Sequence, residues 1–181
     1  SSANSINWGR LVPQIVYYIS SYLELVKRER IGYGEQVNFV VPTGNFGNIL
    51  AGYYAKEMGL PIKRLICASN ENNVLTDFIR TGIYDRRRDL HQTISPSMDI
   101  LVSSNLERPL FELTDRDSSK VRQWMRQLRE EGHYQVDAKT LDRLQSLFYG
   151  DFVRDDEAME SIKDIYYKYG YLIDTHTAVG T

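Results

Sequence analysis

An apolar segment that leads into a glycine-containing turn and then into a helical pattern constrains this chain most. Residues 38–52 read NFVVPTGNFGNILAG. In a strand, turn and helix of this kind, the unpaired amides and the positive end of the helix lie at the turn. Gly44 and Gly47 would let backbone amides approach an anion closely. The segment therefore predicts a phosphate-binding turn.

The residues of this turn exclude two familiar phosphate-binding motifs. The nucleoside triphosphate loop ends in Gly-Lys-Ser/Thr, and the first lysine after the turn is Lys56. A dinucleotide fingerprint that starts at Gly44 needs glycines at positions 46 and 49, where the chain has Phe46 and Ile49. Neither motif describes this turn.

Other motifs accompany the turn in a fixed order. They are Asn-Ser-Ile-Asn-Trp-Gly-Arg at 4–10, Pro-Thr-Gly-Asn-Phe-Gly-Asn at 42–48, Ala-Ser-Asn-Glu-Asn-Asn at 68–73, Ser-Pro-Ser-Met-Asp-Ile at 95–100 and Asp-Thr-His-Thr-Ala-Val at 174–179. In order and spacing the chain resembles bacterial and fungal threonine synthase, a pyridoxal-phosphate (PLP) enzyme of fold type II. The resemblance is strong from about residue 3 to residue 113 and returns at 174–179.

The resemblance implies an α/β fold, a three-layer sandwich with a largely parallel sheet between flanking helices. It also implies PLP as cofactor and O-phospho-L-homoserine as the small-molecule substrate, which reacts with water to give L-threonine and phosphate. The implied contacts to the cofactor phosphate come from the turn, with Gly47 needed for the bend: Gly44, Asn45, Phe46, Gly47 and Asn48.

Four further residues are candidates for the substrate cleft: Ser5, Asn7, Asn70 and His176. Ser5 and Asn7 also suit the capping of the helix that follows them, because serine and asparagine favour that position. Asn70 lies in a polar run that could equally be a turn that caps the next helix. His176 falls in a family-like segment, whereas His91 and His133 lie in polar surroundings typical of a surface.

In the family a lysine in a segment before the Asn-Ser-Ile-Asn motif holds the cofactor as a Schiff base. None of the seven lysines of this chain lies in a matching context. We therefore expect a fragment of the enzyme, with no catalytic residue of its own and no turnover by itself.

Three alternatives stay open at this stage. Another fold-type II enzyme, such as a threonine dehydratase or cysteine synthase, would share the phosphate turn. A threonine-synthase-like protein without activity would share every motif. A flavin or nucleotide phosphate-binding module would bind its ligand without a lysine.

Composition narrows the class of partner. A net charge of −2 and a pI near 5.9 disfavour nucleic acid and anionic membranes as partners. Cys67 lies in an apolar run and is expected to be a buried, inert thiol, and no histidine and carboxylate spacing suggests a metal. We expect a cytoplasmic protein that could dimerise through exposed sheet surfaces.

The chain is most simply one partial domain over 1–181, with a helical excursion at 114–170. Hydrophobic periodicity, glycines and prolines predict helices at 7–27, 48–58, 74–80, 106–113 and 155–169, and strands at 36–41, 63–68 and 171–173. The first two strands and the helix between them form one βαβ unit, whose turn lies at the carboxyl end of its strand, where α/β sheets bind ligands.

Overall fold

The computed structural model describes residues 6–181. Its helices are α1 (Trp8–Leu11), α2 (Ile15–Lys27), α3 (Gly47–Glu57), α4 (Val74–Thr81), α5 (Glu107–Leu113), α6 (Ser118–Glu130), α7 (Ala138–Leu147), α8 (Asp155–Tyr169) and α9 (Thr175–Ala178). Its strands are β1 (Val37–Pro42), β2 (Ile62–Ser69), β3 (Ile83–Asp85), β4 (His133–Gln135) and β5 (Phe148–Phe152). Short 3₁₀ turns span Val12–Gln14, which contains Pro13 and separates α1 from α2, and Pro96–Met98.

The predicted βαβ unit is confirmed. β1 and β2 pair in parallel, with Val41 opposite Cys67, and α3 connects them. β5 pairs in parallel with the other edge of β2, which gives the strand order β1-β2-β5. The carboxyl ends of all three strands therefore meet at one edge of the sheet, where α3 begins.

The helices bury one face of this sheet. Leu65 in β2 and Phe148 in β5 are opposite each other and belong to the main core, together with Ile49 and Leu50 of α3. The α/β class with a parallel sheet flanked by helices is thus confirmed. The other face of the sheet is more open. Val40 in β1 and Tyr149 in β5 lie in one row across the sheet, on either side of Ile66, and are 46% and 45% exposed.

The chain after α9 covers only the carboxyl end of this open face. Val179 packs with Ala68 of β2 and with Met98. A Cβ on Gly180 would lie 3.3 Å from the Pro42 ring at the end of β1. The segment 176–180 is therefore held at the edge of the sheet where the glycine turn lies.

The prediction of a strand at Tyr171–Ile173 is wrong, because these residues form no strand. The third strand of the sheet is instead β5, within the stretch 114–170, which contains β4 and β5 as well as helices. Phe148 extends the apolar stripe of α7, and Gly150 interrupts the alternation of β5. Gly150 is needed there, since a Cβ would lie 3.0 Å from Thr76 Cα in α4.

A second, two-stranded sheet was also missed by the sequence analysis. β3 and β4 pair antiparallel, with Tyr84 opposite Tyr134. Their rings stack at a centroid distance of 5.4 Å and an interplanar angle of 4°, with Phe78 of α4 edge-on to both. Strands of three residues are too short to give a periodic signal of their own.

Candidate functional site

The bend of the glycine turn is made by Phe46, which has a left-handed backbone conformation with φ 59° and ψ 12°. Gly47, expected to supply this bend, is instead the first residue of α3. A left-handed aromatic residue is uncommon and must be held by its surroundings. The Phe46 ring is 1% exposed and lies 5.3 Å from the ring of Phe148. Burial of this ring therefore fixes the turn, and Phe46 packs rather than offering its ring to a ligand.

The start of α3 has the properties of an anion site. Phe46 is the N-cap residue and supplies no side-chain hydrogen bond to the first turn. Helical geometry leaves the first amides, here those of Gly47 and Asn48, without intrahelical acceptors, and the helix dipole places positive charge there. These amides lie at the carboxyl edge of the parallel sheet. The residues present thus fit a phosphate group.

Gly44 is required by a close approach of the backbone. A Cβ at this position would lie 3.1 Å from Ser97 O and 3.2 Å from Met98 Cα. On its other side, Gly44 O accepts a hydrogen bond of 3.0 Å from Ser103 Oγ. The turn is therefore held between two segments that are more than fifty residues away in sequence.

Residues 103–105 support the turn and were missed by the sequence analysis. Asn105 Nδ2 donates to Asn45 O at 2.9 Å, and Ser104 Oγ donates to Asn45 Oδ1 at 3.1 Å. The only signal for them in the sequence is a polar Ser-Ser-Asn run between apolar residues. Because Asn45 Oδ1 accepts from Ser104, the amide nitrogen of the same side chain remains the donor that Asn45 can offer to an anion.

The Asn48 side chain is already engaged. Its Oδ1 accepts from Tyr18 OH at 2.7 Å, and its Nδ2 donates to Gln14 Oε1 at 3.0 Å. Burial raises the pKa of Tyr18 well above its ordinary value, so the phenol remains a donor. The side chain of Asn48 therefore ties the turn to Tyr18 of α2 and to Gln14. The donor that Asn48 can offer to an anion at the helix start is its backbone N–H.

Asn70 lies at the carboxyl end of β2 as predicted, but its side chain is 2% exposed. Its Nδ2 donates to Asp99 Oδ1 at 2.8 Å and to Ser95 Oγ at 3.0 Å, and its Oδ1 accepts from Asn72 N. Asp99 also accepts from Thr93. Asn70 thus anchors the segment 93–99 beside the sheet edge.

The remaining cleft candidates are placed differently. Asn7 Oδ1 accepts from Gly9 N at 3.0 Å and so caps α1, in agreement with the capping alternative. Ser5 lies outside the described residues. His176 lies in α9 and contacts Ser97, whose carbonyl oxygen faces Gly44. Of the four candidates, His176 is therefore the one that is linked to Gly44 of the turn through Ser97.

Cys67 is fully buried in β2. Burial raises the pKa of its thiol to about 12, and hydrogen bonds with Thr43 and Ser69 only partly oppose this effect. The thiol is therefore protonated and unreactive at neutral pH.

Residues 6–181 contain neither a grouping of side chains for a metal ion nor a helix suited to cross a membrane. No three His, Cys, Asp or Glu side chains in this part of the chain are grouped to hold a metal ion. No helix of this part has the length and apolar character needed to cross a membrane.

A cavity of about 520 Å³ is lined by Trp8, Tyr54 and Phe111 among others, away from the glycine turn.

A parallel sheet flanked by helices, with a phosphate-type turn at the carboxyl end of β1, is the arrangement expected of a fold-type II PLP enzyme. Comparison with solved structures supports this class. Threonine synthase from Brucella melitensis, solved with PLP bound, matches with a TM-score of 0.93 and 45% identity, over 99% of this chain and 38% of that chain. Yeast threonine synthase matches with a TM-score of 0.90 and 41% identity, over 98% of this chain and 37% of that chain.

Sequence comparison gives the same relatives. Threonine synthase-like 1 of Macaca fascicularis is 52% identical over 180 residues, which are 99% of this chain and 24% of that protein. Threonine synthase of Schizosaccharomyces pombe is 43% identical over an alignment of 199 positions, gaps included, which covers 99% of this chain and 38% of that protein. No protein-family model matches. Over its whole length, the chain is homologous to one segment of threonine synthases and threonine synthase-like proteins.

The match covers a minor part of each relative. The chain spans 24% of the length of the Macaca protein and 38% of the S. pombe enzyme. The activity of those whole proteins therefore enters only as a proposal below.

Proposed function

We propose that this chain forms the cofactor-phosphate cup of a PLP-dependent threonine synthase. The proposal rests on the start of α3, which follows Gly44 and Phe46 at the carboxyl edge of a parallel sheet. No side chain of the N-cap residue accepts a hydrogen bond from the first amides of this helix. The identity of 45% to a threonine synthase solved with PLP supports it. Backbone amides of residues 44–48 would hold the phosphate, with the amide nitrogen of Asn45 as a further donor.

In this proposal the whole enzyme converts O-phospho-L-homoserine and water to L-threonine and phosphate. PLP, when bound, supplies an electron sink for negative charge that develops on carbon next to the amino group. The residues of this chain bind and orient the cofactor by its phosphate. The buried Phe46 ring and the Asn48 contacts hold the turn in one conformation, which lowers the ordering cost of binding.

We further propose that the chain does not turn over substrate by itself. Six of its seven lysines are exposed. The seventh, Lys56, donates to Ile62 O at the amino end of β2, the end of the strand remote from the turn. Lys120 and Lys139 form ion pairs with Asp137 and Asp115. None of these positions supports a role as the cofactor-binding lysine.

Calorimetric titration with PLP and with inorganic phosphate tests the cup. We expect binding of both ligands at one site, with phosphate competing against PLP, and loss of binding in Gly47→Asp, which places a carboxylate at the helix start. Ser20→Asp adds the same charge on the exposed side of α2 and serves as the matched control. Equal binding by the Gly47→Asp variant and the wild type would contradict the proposal.

The same titration separates the proposed function from the alternatives. A nucleotide or flavin module would bind a nucleotide in preference to PLP. A threonine synthase cup binds PLP through its phosphate alone, so pyridoxal without the phosphate should bind far more weakly.

Addition of the amino-terminal region of a threonine synthase should restore conversion of O-phospho-L-homoserine, and this result would distinguish the enzyme from an inactive relative. Cytoplasmic location and association of two copies through the open sheet face stay predictions.

A further inference from the structure

His176 and Ser97 join two segments that are far apart in sequence. Ser97 lies in the 3₁₀ turn Pro96–Met98, and His176 lies in α9. Ser97 N is 3.3 Å from His176 Nε2, and Ser97 Oγ also forms a hydrogen bond with the same nitrogen. One ring nitrogen therefore binds both hydrogen-bond donors of Ser97, its backbone N–H and its hydroxyl group.

These contacts assign one tautomer to the neutral ring. A backbone N–H can only donate, so Nε2 must be the acceptor and carries no proton. A neutral imidazole then has its proton on Nδ1, which faces Asp174 Oδ1 at 3.5 Å. Asp174 is itself fixed, because it caps α9 by accepting from His176 N and Thr177 N. The carboxylate therefore favours the tautomer that Ser97 requires.

The segment that His176 holds lies directly behind the glycine turn. Ser97 O would lie 3.1 Å from a Cβ on Gly44, and Met98 Cα 3.2 Å from it. Met98 is 4% exposed and packs with Val179, three residues after His176. The 96–98 turn is thus placed between α9 and the glycine turn, with apolar packing at Met98 and hydrogen bonds at Ser97.

We propose that His176 is a positioning residue of the phosphate cup, which acts through Ser97 to hold the 96–98 turn against Gly44. It needs no contact with the ligand for this role. The effect on phosphate binding rests on the function proposed above, whereas the tautomer and the link to Gly44 do not.

Titration with inorganic phosphate tests the effect on the cup. His176→Ala removes the acceptor, and the loss of hydrogen bonds that hold the turn should weaken phosphate binding about tenfold. His176→Gln places an amide oxygen near the position of Nε2 and should recover most of the affinity. His133→Ala, in β4, is the matched control and should bind as the wild type does. Wild-type affinity in His176→Ala would overturn the proposal.

Nuclear magnetic resonance of the labelled wild type tests the link without any ligand. We expect the ¹⁵N shift of an unprotonated nitrogen at Nε2 and of a protonated nitrogen at Nδ1. In His176→Ala, the Ser97 amide should exchange faster with solvent and the Gly44 amide shift should change, while the resonances of the β3–β4 sheet stay in place and report a folded chain. A proton on Nε2, or an unchanged Gly44 resonance in the variant, would overturn the proposal.

The two readouts separate the two proposals. If the wild type binds no phosphate, the function proposed for the cup fails, and the Gly44 and Ser97 resonances still decide the role of His176. If the wild type binds phosphate and the variant binds it equally well, only the role of His176 fails.

Discussion

Substitution of Gly52 by alanine tests how closely α2 and α3 pack behind the turn. A Cβ at this position would lie 2.7 Å from Tyr18 Cε1 and 2.9 Å from Leu65 Cδ2. Tyr18 cannot move away freely, because its ring is 4% exposed and its hydroxyl donates to Asn48 at both O and Oδ1. The added methyl group must therefore displace a buried ring or shift the helix.

The expected magnitude follows from two opposing effects. An extra methylene group in a packed core costs about 1–3 kcal/mol. Replacement of glycine by alanine within a helix returns about 1 kcal/mol. Because the two closest contacts of Gly52→Ala are both below 3.0 Å, we expect the upper part of the packing cost and a net loss of about 1–2 kcal/mol in the free energy of unfolding.

Urea unfolding, followed by far-ultraviolet circular dichroism, measures this loss as a lower midpoint with an unchanged slope. Tyr18→Leu provides the control, because it removes the ring that meets the new Cβ. The double variant should lose less stability than the sum of the two single changes, as expected for residues in contact. A Gly52→Ala variant that is as stable as the wild type would refute the reasoning.

Two further predictions concern buried polar groups. Cys67 should resist iodoacetamide at pH 8 in the folded chain and react only after unfolding in urea, because burial raises the pKa of its thiol to about 12; rapid alkylation without denaturant would contradict its burial. The hydroxyl of Tyr134 is buried without a hydrogen-bond partner among the described residues. Tyr134→Phe should therefore leave the free energy of unfolding unchanged or raise it by up to about 1 kcal/mol. A decrease of more than about 1 kcal/mol in urea unfolding would contradict the absence of a hydrogen-bond partner for this hydroxyl group.

Local patterns were enough to predict the part of the fold that carries the site. β1, α3 and β2 have a strong sequence signal, because an apolar strand, a glycine turn and a helix follow one another without a gap. β5 was missed because its apolar residues continue the stripe of α7 and because Gly150 breaks its alternation. That glycine is set by the approach of α4, a tertiary contact that no local pattern contains.

The site shows the same limit. The position of the turn was predicted, but the bend lies at Phe46, where burial against Phe148 overrides the usual preference for glycine. Asn70 lies at the predicted edge, yet partners in the segment 93–99 use its side chain. The support from Ser103 and Asn105 depends on contacts between residues about sixty positions apart, and the short polar run at 103–105 does not indicate what these residues contact.

The central claim is that the turn at residues 44–48 binds the phosphate of a cofactor. A titration of the ¹⁵N-labelled chain with inorganic phosphate, followed by amide chemical shifts, tests it most directly. We predict saturable shifts that are largest at the amides of Gly47 and Asn48 and small in the distant β3–β4 sheet. Shifts spread over exposed lysines, with none at the turn, would contradict the claim.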